Sequence, residues 1–366
     1  MEYVSTVWAW INHQIQVIFH SGLPIFFWVR PKWSVDQMPD QTGKVILVTG
    51  GNSGTGYATS LAYYNAGATV YLACRNEKKA LKAIEEIKKG GEIGLFGYTY
   101  PPSSSKSSKK GRVEYVNLDL ADLASVDKCA EEFLKKENQL DVLFANAGIM
   151  ATEEGQYTKQ GYTLQFGSMV LGHHRLITLL LPTLLSSPPS EPSRVILSSS
   201  AGHETAPPSG VDYTSVVRDP SLSKDTTRLG RRGDRELGRW SEYGQAKWGN
   251  IALAKWLDYE YGVQGRLISA AVHPGLVATN LADHLSLAAS LLKSLPWIVP
   301  IFTFQPSVGA LNQIYAGSLP LPEAWYLNGQ YIVPFQTIGQ ARPDLNDRKK
   351  VEKLWEWCDE QGKKWA

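Results

Sequence analysis

A parallel β-sheet with helices on both faces, wound as one α/β domain, is the fold class this sequence predicts. Two observations carry the expectation. From Lys44 onward, short apolar runs alternate with helix-patterned stretches, and the first run ends in a glycine-rich turn, "TGGNSGTG" at 49–56. Such alternation sets parallel strands side by side and folds the connecting helices onto both faces of the sheet. Composition agrees, because 366 residues with 43% hydrophobic and 20% charged side chains can bury a sizeable core.

The elements follow in order. "KVILVTG" is the first strand, and Ala58, Leu61, Ala62 and Asn65 then keep helical spacing up to Gly67. "ATVYLAC" is the second strand, and "NEKKALKAIEEIKKG" an amphipathic helix stopped by Gly90. "RVEYVNLDL" is the third strand, 122–137 the next helix and "LDVLFANAG" the fourth strand. A long helix near 161–185, the strand "RVILSSSAG", a helix around Tyr243 and the strand "RLISAAVHPG" complete the alternation.

Other stretches break it. Residues 1–40 form a separate apolar segment, with no Asp, Glu, Lys or Arg between Tyr3 and Val29. Val4, Val7, Trp8, Ile11, Ile15, Ile18 and Phe19 make one helical stripe, while Asn12, His13, Gln14, Gln16 and His20 argue against a bilayer-spanning helix. The stripe suits a helix lying in a membrane surface, or one packed on the protein's own body or on a second copy of the chain. The main domain is expected over 41–340, with polar insertions near 94–111 and 203–240, and a C-terminal helix over 341–366. The apolar, proline-broken stretch 285–305 reads as a substrate cover, with core filler and membrane contact as alternatives.

Charge and cysteine usage narrow the function. Lys and Arg total 37 against 35 Asp and Glu, so no basic field argues for nucleic acid. Cys74, Cys129 and Cys358 have no metal-ligand spacing, which predicts reduced thiols, no metal site and a cytoplasmic setting, at most on the cytosolic face of a membrane.

The glycine turn carries the first chemistry. Gly50, Gly54 and Gly56, with Ser53 and Thr55 between them, lie between a strand and a helix. A Rossmann-type dinucleotide site needs this: a tight turn, close backbone approach to a pyrophosphate and a helix N-terminus aimed at its charge. At the end of the second strand an acidic residue would select NAD and an arginine the extra phosphate of NADP. Arg75 stands there, so NADP(H) is the expected cofactor; Asp119, ending the third strand beside Leu120, is an acceptor for the adenine ring. Tyr243 and Lys247, four apart in "SEYGQAKWGN", share a helix face. An ammonium beside the phenol would lower the tyrosine's pKa toward a working proton donor.

The glycine loop, "NAG" at 146–148, "SSS" at 198–200, "YGQAK" at 243–247 and "HPGLVAT" at 273–279 occur together and in this order. In this the chain resembles the short-chain dehydrogenase/reductase family over roughly residues 43–335. "ACRN" and the tail "NGQYIVPF…LWEWCDEQ" are most similar to its retinol-dehydrogenase-like branch, the fungal members in particular. The resemblance implies hydride transfer between a nicotinamide and a carbonyl or alcohol carbon. It implies Tyr243 as proton donor, Lys247 as its partner and ribose ligand, and Ser199 as holder of the substrate oxygen, with Ser198 and Ser200 as alternatives. It also implies that Asn146, Ala147 and Gly148 line the cofactor path, and that Pro274, Gly275, Val277 and Thr279 hold the nicotinamide end.

One position departs from the family. In "LQFGSMVLGHHRL" Met169 stands where the family carries an asparagine that organises a water leading to the lysine. A thioether donates nothing and accepts weakly. Gln165 and His173, four residues either side, share its face and are the candidates to hold that water. Two functions follow: an NADPH-dependent reductase for a bulky apolar aldehyde or ketone, and a nucleotide-binding sensor with little turnover.

Overall fold

The computed structural model describes residues 31–90, 110–218, 238–277 and 304–365. Eight strands form one sheet: β1 (Val45–Thr49), β2 (Thr69–Cys74), β3 (Arg112–Asn117), β4 (Val142–Ala145), β5 (Ser193–Ser198), β6 (Leu267–Val272), β7 (Gln330–Val333) and β8 (Thr337–Ile338). Their order across the sheet is β3-β2-β1-β4-β5-β6-β7-β8. All pairs are parallel except β7–β8, which is antiparallel. The strand order reverses between β1 and β4, where a doubly wound sheet opens a crevice at its carboxyl edge.

Helices cover both faces, which is why the strands read as continuous apolar runs rather than alternating ones. Val45 and Leu47 of β1 face one core, with α3 (Leu123–Lys136), α5 (Arg239–Leu257) and α7 (Arg348–Lys363). Ile46 and Val48 face the other, with α1 (Gly54–Asn65), α2 (Glu77–Lys88) and α6 (Pro306–Ser318). Local chemistry sets the helix starts. The Asn76 side chain accepts from Lys79 N at 3.0 Å and the Asp122 side chain from Ala124 N at 3.2 Å, each satisfying an orphan first-turn donor.

The long helix, α4, runs in three joined pieces: Leu164–Phe166, a π-helical Gly167–Gly172 that contains Met169, and His173–Leu184. A π segment inside an α-helix frees a backbone carbonyl from the regular ladder and recurs at functional sites. The C-terminal helix α7 packs on α4 and α5. Trp355 stacks on Trp256 at 3.5 Å between ring centroids, and Trp357 meets Tyr162 and Phe166 edge-on.

Some expectations shift. The third strand ends at Asn117, so Asp119 lies in the turn beyond it, its carboxylate accepting from Ala121 N at 3.0 Å. Helix α6 and the β7–β8 hairpin have no counterpart in the periodicity. Residues 1–30, most of the first insertion (91–109), half of the second (219–237), and the stretch 278–303 with Thr279 lie outside the described residues. Among those described, no helix is long and apolar enough to cross a membrane.

Candidate active site

The glycine loop turns between β1 and α1. Gly50 and Gly54 adopt φ of 66° and 55°, a left-handed conformation that favours glycine. Gly56 is required for another reason: a Cβ there would lie 2.4 Å from Gly50 O and 2.6 Å from Asn146 Nδ2. The loop therefore sits directly against the end of β4. Helix α1 starts here with no acidic residue in its first turn, and the Ser53 hydroxyl makes no capping bond. Its first N–H groups have no intrahelical acceptor, which is the donor set a pyrophosphate needs.

Thr49, the last residue of β1, organises the crevice. Its hydroxyl accepts from the backbone N–H of Asn146 and of Ala147, both at 2.9 Å. Met169 O can only accept, so His173 Nδ1 donates to it at 2.9 Å and the neutral ring accepts at Nε2 from the Thr49 hydroxyl at 2.9 Å, which also lies 3.2 Å from Phe144 O. That tautomer is neutral, and burial pushes the imidazole down to about 4. The Asn146 side chain donates to Thr49 O at 2.9 Å and accepts from Thr55 Oγ1 at 2.9 Å. Gly148 follows, closely packed: a Cβ there would lie 3.2 Å from Met169 Sδ and 3.3 Å from Lys247 Nζ. The NAG segment, the π segment and the lysine thus meet at one point.

Helix α5 brings Tyr243 and Lys247 to that point, both nearly fully buried. The ammonium lies 5.5 Å from the centre of the Tyr243 ring. Two glycines permit the close packing. A Cβ on Gly202 would come 2.7 Å from Tyr243 Cε1, and one on Gly244 would come 2.4 Å from Thr205 Oγ1. The three serines have separate duties. Ser198 O accepts from Lys247 Nζ at 3.1 Å and from Asn250 Nδ2 at 2.8 Å. Ser199 Oγ donates to Lys247 O at 2.8 Å, while the Ser200 hydroxyl accepts from Gly202 N at 3.1 Å and lowers the Tyr243 pKa.

Burial is the largest influence on the Tyr243 phenol and pushes it up to about 12, with Ser200 offsetting part of the rise. The lysine responds to burial in the opposite sense and falls to about 8. Charge on either group is disfavoured by removal from water. An unfolded chain keeps the lysine proton where the folded one releases it, so Lys247's contribution to stability rises with pH from about 8 to its ordinary 10.5.

The two candidates to replace the missing asparagine are both committed elsewhere. Gln165 accepts from Ala151 N at 2.9 Å and donates to Arg239 O at 3.0 Å, so it faces the start of α5. His173 has both ring nitrogens engaged, as described.

The family model described as short chain dehydrogenase matches residues 44–100. A short-chain dehydrogenase/reductase of Armillaria gallica is 40% identical over 335 residues, covering 91% of this chain and 95% of that protein. Another, from Emericella nidulans, is 34% identical and covers 88% of this chain and 94% of its own. The chain belongs to the short-chain dehydrogenase/reductase family. Among solved structures, an uncharacterized protein of Mycobacterium paratuberculosis superposes with a TM-score of 0.62 at 25% identity, covering 90% of this chain and 97% of its own. The NADP active-site complex of Pseudomonas aeruginosa RhlG, at 19% identity and a TM-score of 0.53, covers 83% and 97% and shares the fold.

For a member of this oxidoreductase family, the remaining expected residues fall around the same crevice. Arg75 is exposed immediately after β2 and, among the described residues, makes no hydrogen bond or ion pair. Gly275 turns at φ 84°, with Phe304 and Pro334 packed where its side chain would be, and Val277 bridges to Phe304. Leu120 is buried and its carbonyl approaches Gly172 of the π segment. Gln313 of α6 was not visible in the sequence pattern. Its Nε2 donates to Asn146 Oδ1 at 3.2 Å, to Thr55 O at 3.3 Å and to Thr59 Oγ1, while its Oε1 accepts from Ser198 Oγ at 3.3 Å. It ties the glycine loop to the strand that holds Lys247. All three cysteines are buried and unpaired, and no metal-binding group occurs among the described residues.

Proposed function

We propose that the protein is an NADP(H)-dependent oxidoreductase that interconverts a carbonyl and an alcohol on a bulky apolar substrate. The observation that carries this is the buried pairing of Tyr243 with Lys247 on one helix, with the lysine's ammonium beside Gly148 after β4, at the reversal point of the sheet. The dinucleotide, when bound, supplies the hydride. The helix α1 N-terminus and glycine loop suit its pyrophosphate, and Arg75 suits the extra phosphate. The NADP complex of the RhlG protein supports the same cofactor class.

In reduction the Tyr243 hydroxyl gives its proton to the carbonyl oxygen. Burial keeps it a phenol at neutral pH, so the proton is present when charge builds on the oxygen. An alkoxide is a stronger base than a phenolate, so the transfer runs downhill despite the raised value. Ser199, at the family's position and bonded to Lys247 O, and Ser200, which lowers the Tyr243 pKa, are the serines that would hold the same oxygen. Lys247, charged below about pH 8, faces the ring and stabilises the phenolate left behind. The rate of NADPH consumption should therefore fall as pH rises through about 8, and Lys247→Arg should remove that step. A profile that is flat through this range in the wild type contradicts the role given to the lysine.

Cofactor choice has its own test. Arg75→Ala should weaken NADPH by about 1.5–3 kcal/mol, roughly 10- to 150-fold, and leave NADH nearly unaffected. Equal losses would show that Arg75 does not discriminate. A sensor with little turnover is the second reading, favoured by Met169, whose Sδ faces Gly148 as Lys247 Nζ does, where the family has an amide. NADPH oxidation measured across a panel of apolar aldehydes and ketones decides between them. Turnover supports the reductase, and tight NADPH binding without turnover supports the sensor.

A further inference from the structure

A line of buried amides runs from the N-terminal arm to the turn that follows β6. Gln336 Oε1 accepts from the backbone N–H of Lys32 at 3.0 Å and of Trp33 at 3.2 Å. Its Nε2 and its own backbone N–H both donate to Asn312 Oδ1 at 3.1 Å. Asn312 Nδ2 then donates to His273 O at 2.6 Å. Each amide oxygen accepts twice, and all these residues are buried except Lys32.

The backbone shows that the side chain at 336 is there for its amide. In the three-residue loop 334–336 that joins β7 to β8, Gln336 adopts φ 57° and Phe335 before it φ 67°, the left-handed conformation normally given to glycine or asparagine. A glutamine held in that conformation persists because its surroundings over-determine it. The same hairpin reaches the far side of the turn. Phe335 meets Phe304 edge-on at 5.5 Å, and Phe304 lies where a Gly275 side chain would be. The His273–Val277 turn is thus gripped at His273 through Asn312 and at Gly275 through Phe304.

We propose that Gln336 is a positioning residue for the nicotinamide half of the cofactor, and that it makes this positioning depend on the docked Lys32–Trp33 arm. The proposal rests on the dinucleotide reading above and names the half of the ligand that this hub governs. Gln336 holds Asn312, Asn312 holds the His273 carbonyl, and the turn beyond it carries Pro274, Gly275 and Val277. Fixing that turn before the ligand arrives removes an ordering penalty from binding. The arm contributes by supplying the two N–H donors that fill Gln336 Oε1. Trp33 keeps them there by packing edge-on against Tyr315 of α6 at 5.8 Å.

Gln336→Gly separates the amide from the backbone conformation, because glycine accepts φ 57° without strain. Affinities are measured in the full chain for NADPH and for adenosine 2′,5′-bisphosphate, which carries only the adenosine half. Gln336→Gly, Asn312→Asp and Trp33→Ala should each weaken NADPH about tenfold or more and leave the bisphosphate within about twofold of wild type. NADPH affinity unchanged in Gln336→Gly or Trp33→Ala overturns the proposal, as does an equal loss for both ligands. A wild type that binds neither ligand overturns the dinucleotide reading itself, and the hub's role with it.

Discussion

Tyr243→Phe is expected to lower carbonyl reduction by NADPH about 10²- to 10⁴-fold, the range for removing a general acid. Cofactor affinity should stay within about twofold, because only a hydroxyl is lost. The ring keeps its packing against Gly202 and its edge contact with Trp240 at 6.4 Å. Ser200 keeps the backbone N–H of Gly202 as a partner at 3.1 Å. Single-turnover kinetics and a fluorescence titration on the same preparation separate chemistry from binding. An unchanged rate would show that the proton comes from another group, and the role assigned to the Tyr243–Lys247 pair would be wrong.

Gly56→Ala should cost about 100-fold or more in dinucleotide affinity, close to 3 kcal/mol. The added methyl would sit 2.4 Å from Gly50 O and 2.6 Å from Asn146 Nδ2, and neither neighbour is the end of a flexible chain. Relieving the clash must move the glycine loop, Asn146 or both. Asn146 is held by Thr49, Thr55 and Gln313, so displacing it disturbs three elements together. Gly238→Ala is the matched control: nothing lies within 4 Å of that Cβ position, and its φ of −57° suits any residue. Isothermal titration of both variants checks the contrast. Similar affinities in the two would mean that the loop tolerates the methyl and that its close approach is not what binding requires.

The first six strands were legible because each is a short apolar run between helices whose outer faces are polar. Amphipathic α2 and α3 mark their own boundaries with Asn76 and Asp122 caps. Helix α6 left no such trace. It is buried on most sides, from Pro306 and Gly309 through Ala310, Ile314 and Ala316, so no polar face sets a period. Strand β7 has four residues, too few for a pattern to stand out. Tyr243 and Lys247 were readable from spacing, since a helix places such residues one turn apart. Which serine serves the tyrosine was not, because "SSS" offers three identical side chains at the end of β5. Gln313, Asn312 and Gln336 act across separations such as 254 and 304 residues, which no local pattern reports. Spacing shows that a charge is near Tyr243, whereas depth of burial, which no spacing reports, pushes the phenol up and the lysine down.

The two margins of the sheet differ from its interior in a way that bears on solubility. A strand at a sheet margin presents unpaired N–H and C=O groups on which another chain can template, and proteins blunt such margins with charge or brevity. At one margin β3 carries Arg112, paired with Glu114 at 3.0 Å and also with Glu137, so a docking strand would have to bury or break these ion pairs. At the other, β8 has only two residues and runs antiparallel after the Phe335–Gln336 turn, leaving almost no ladder to extend. The hairpin that steadies the crevice from behind therefore also shortens the template on which fibrillar association would begin.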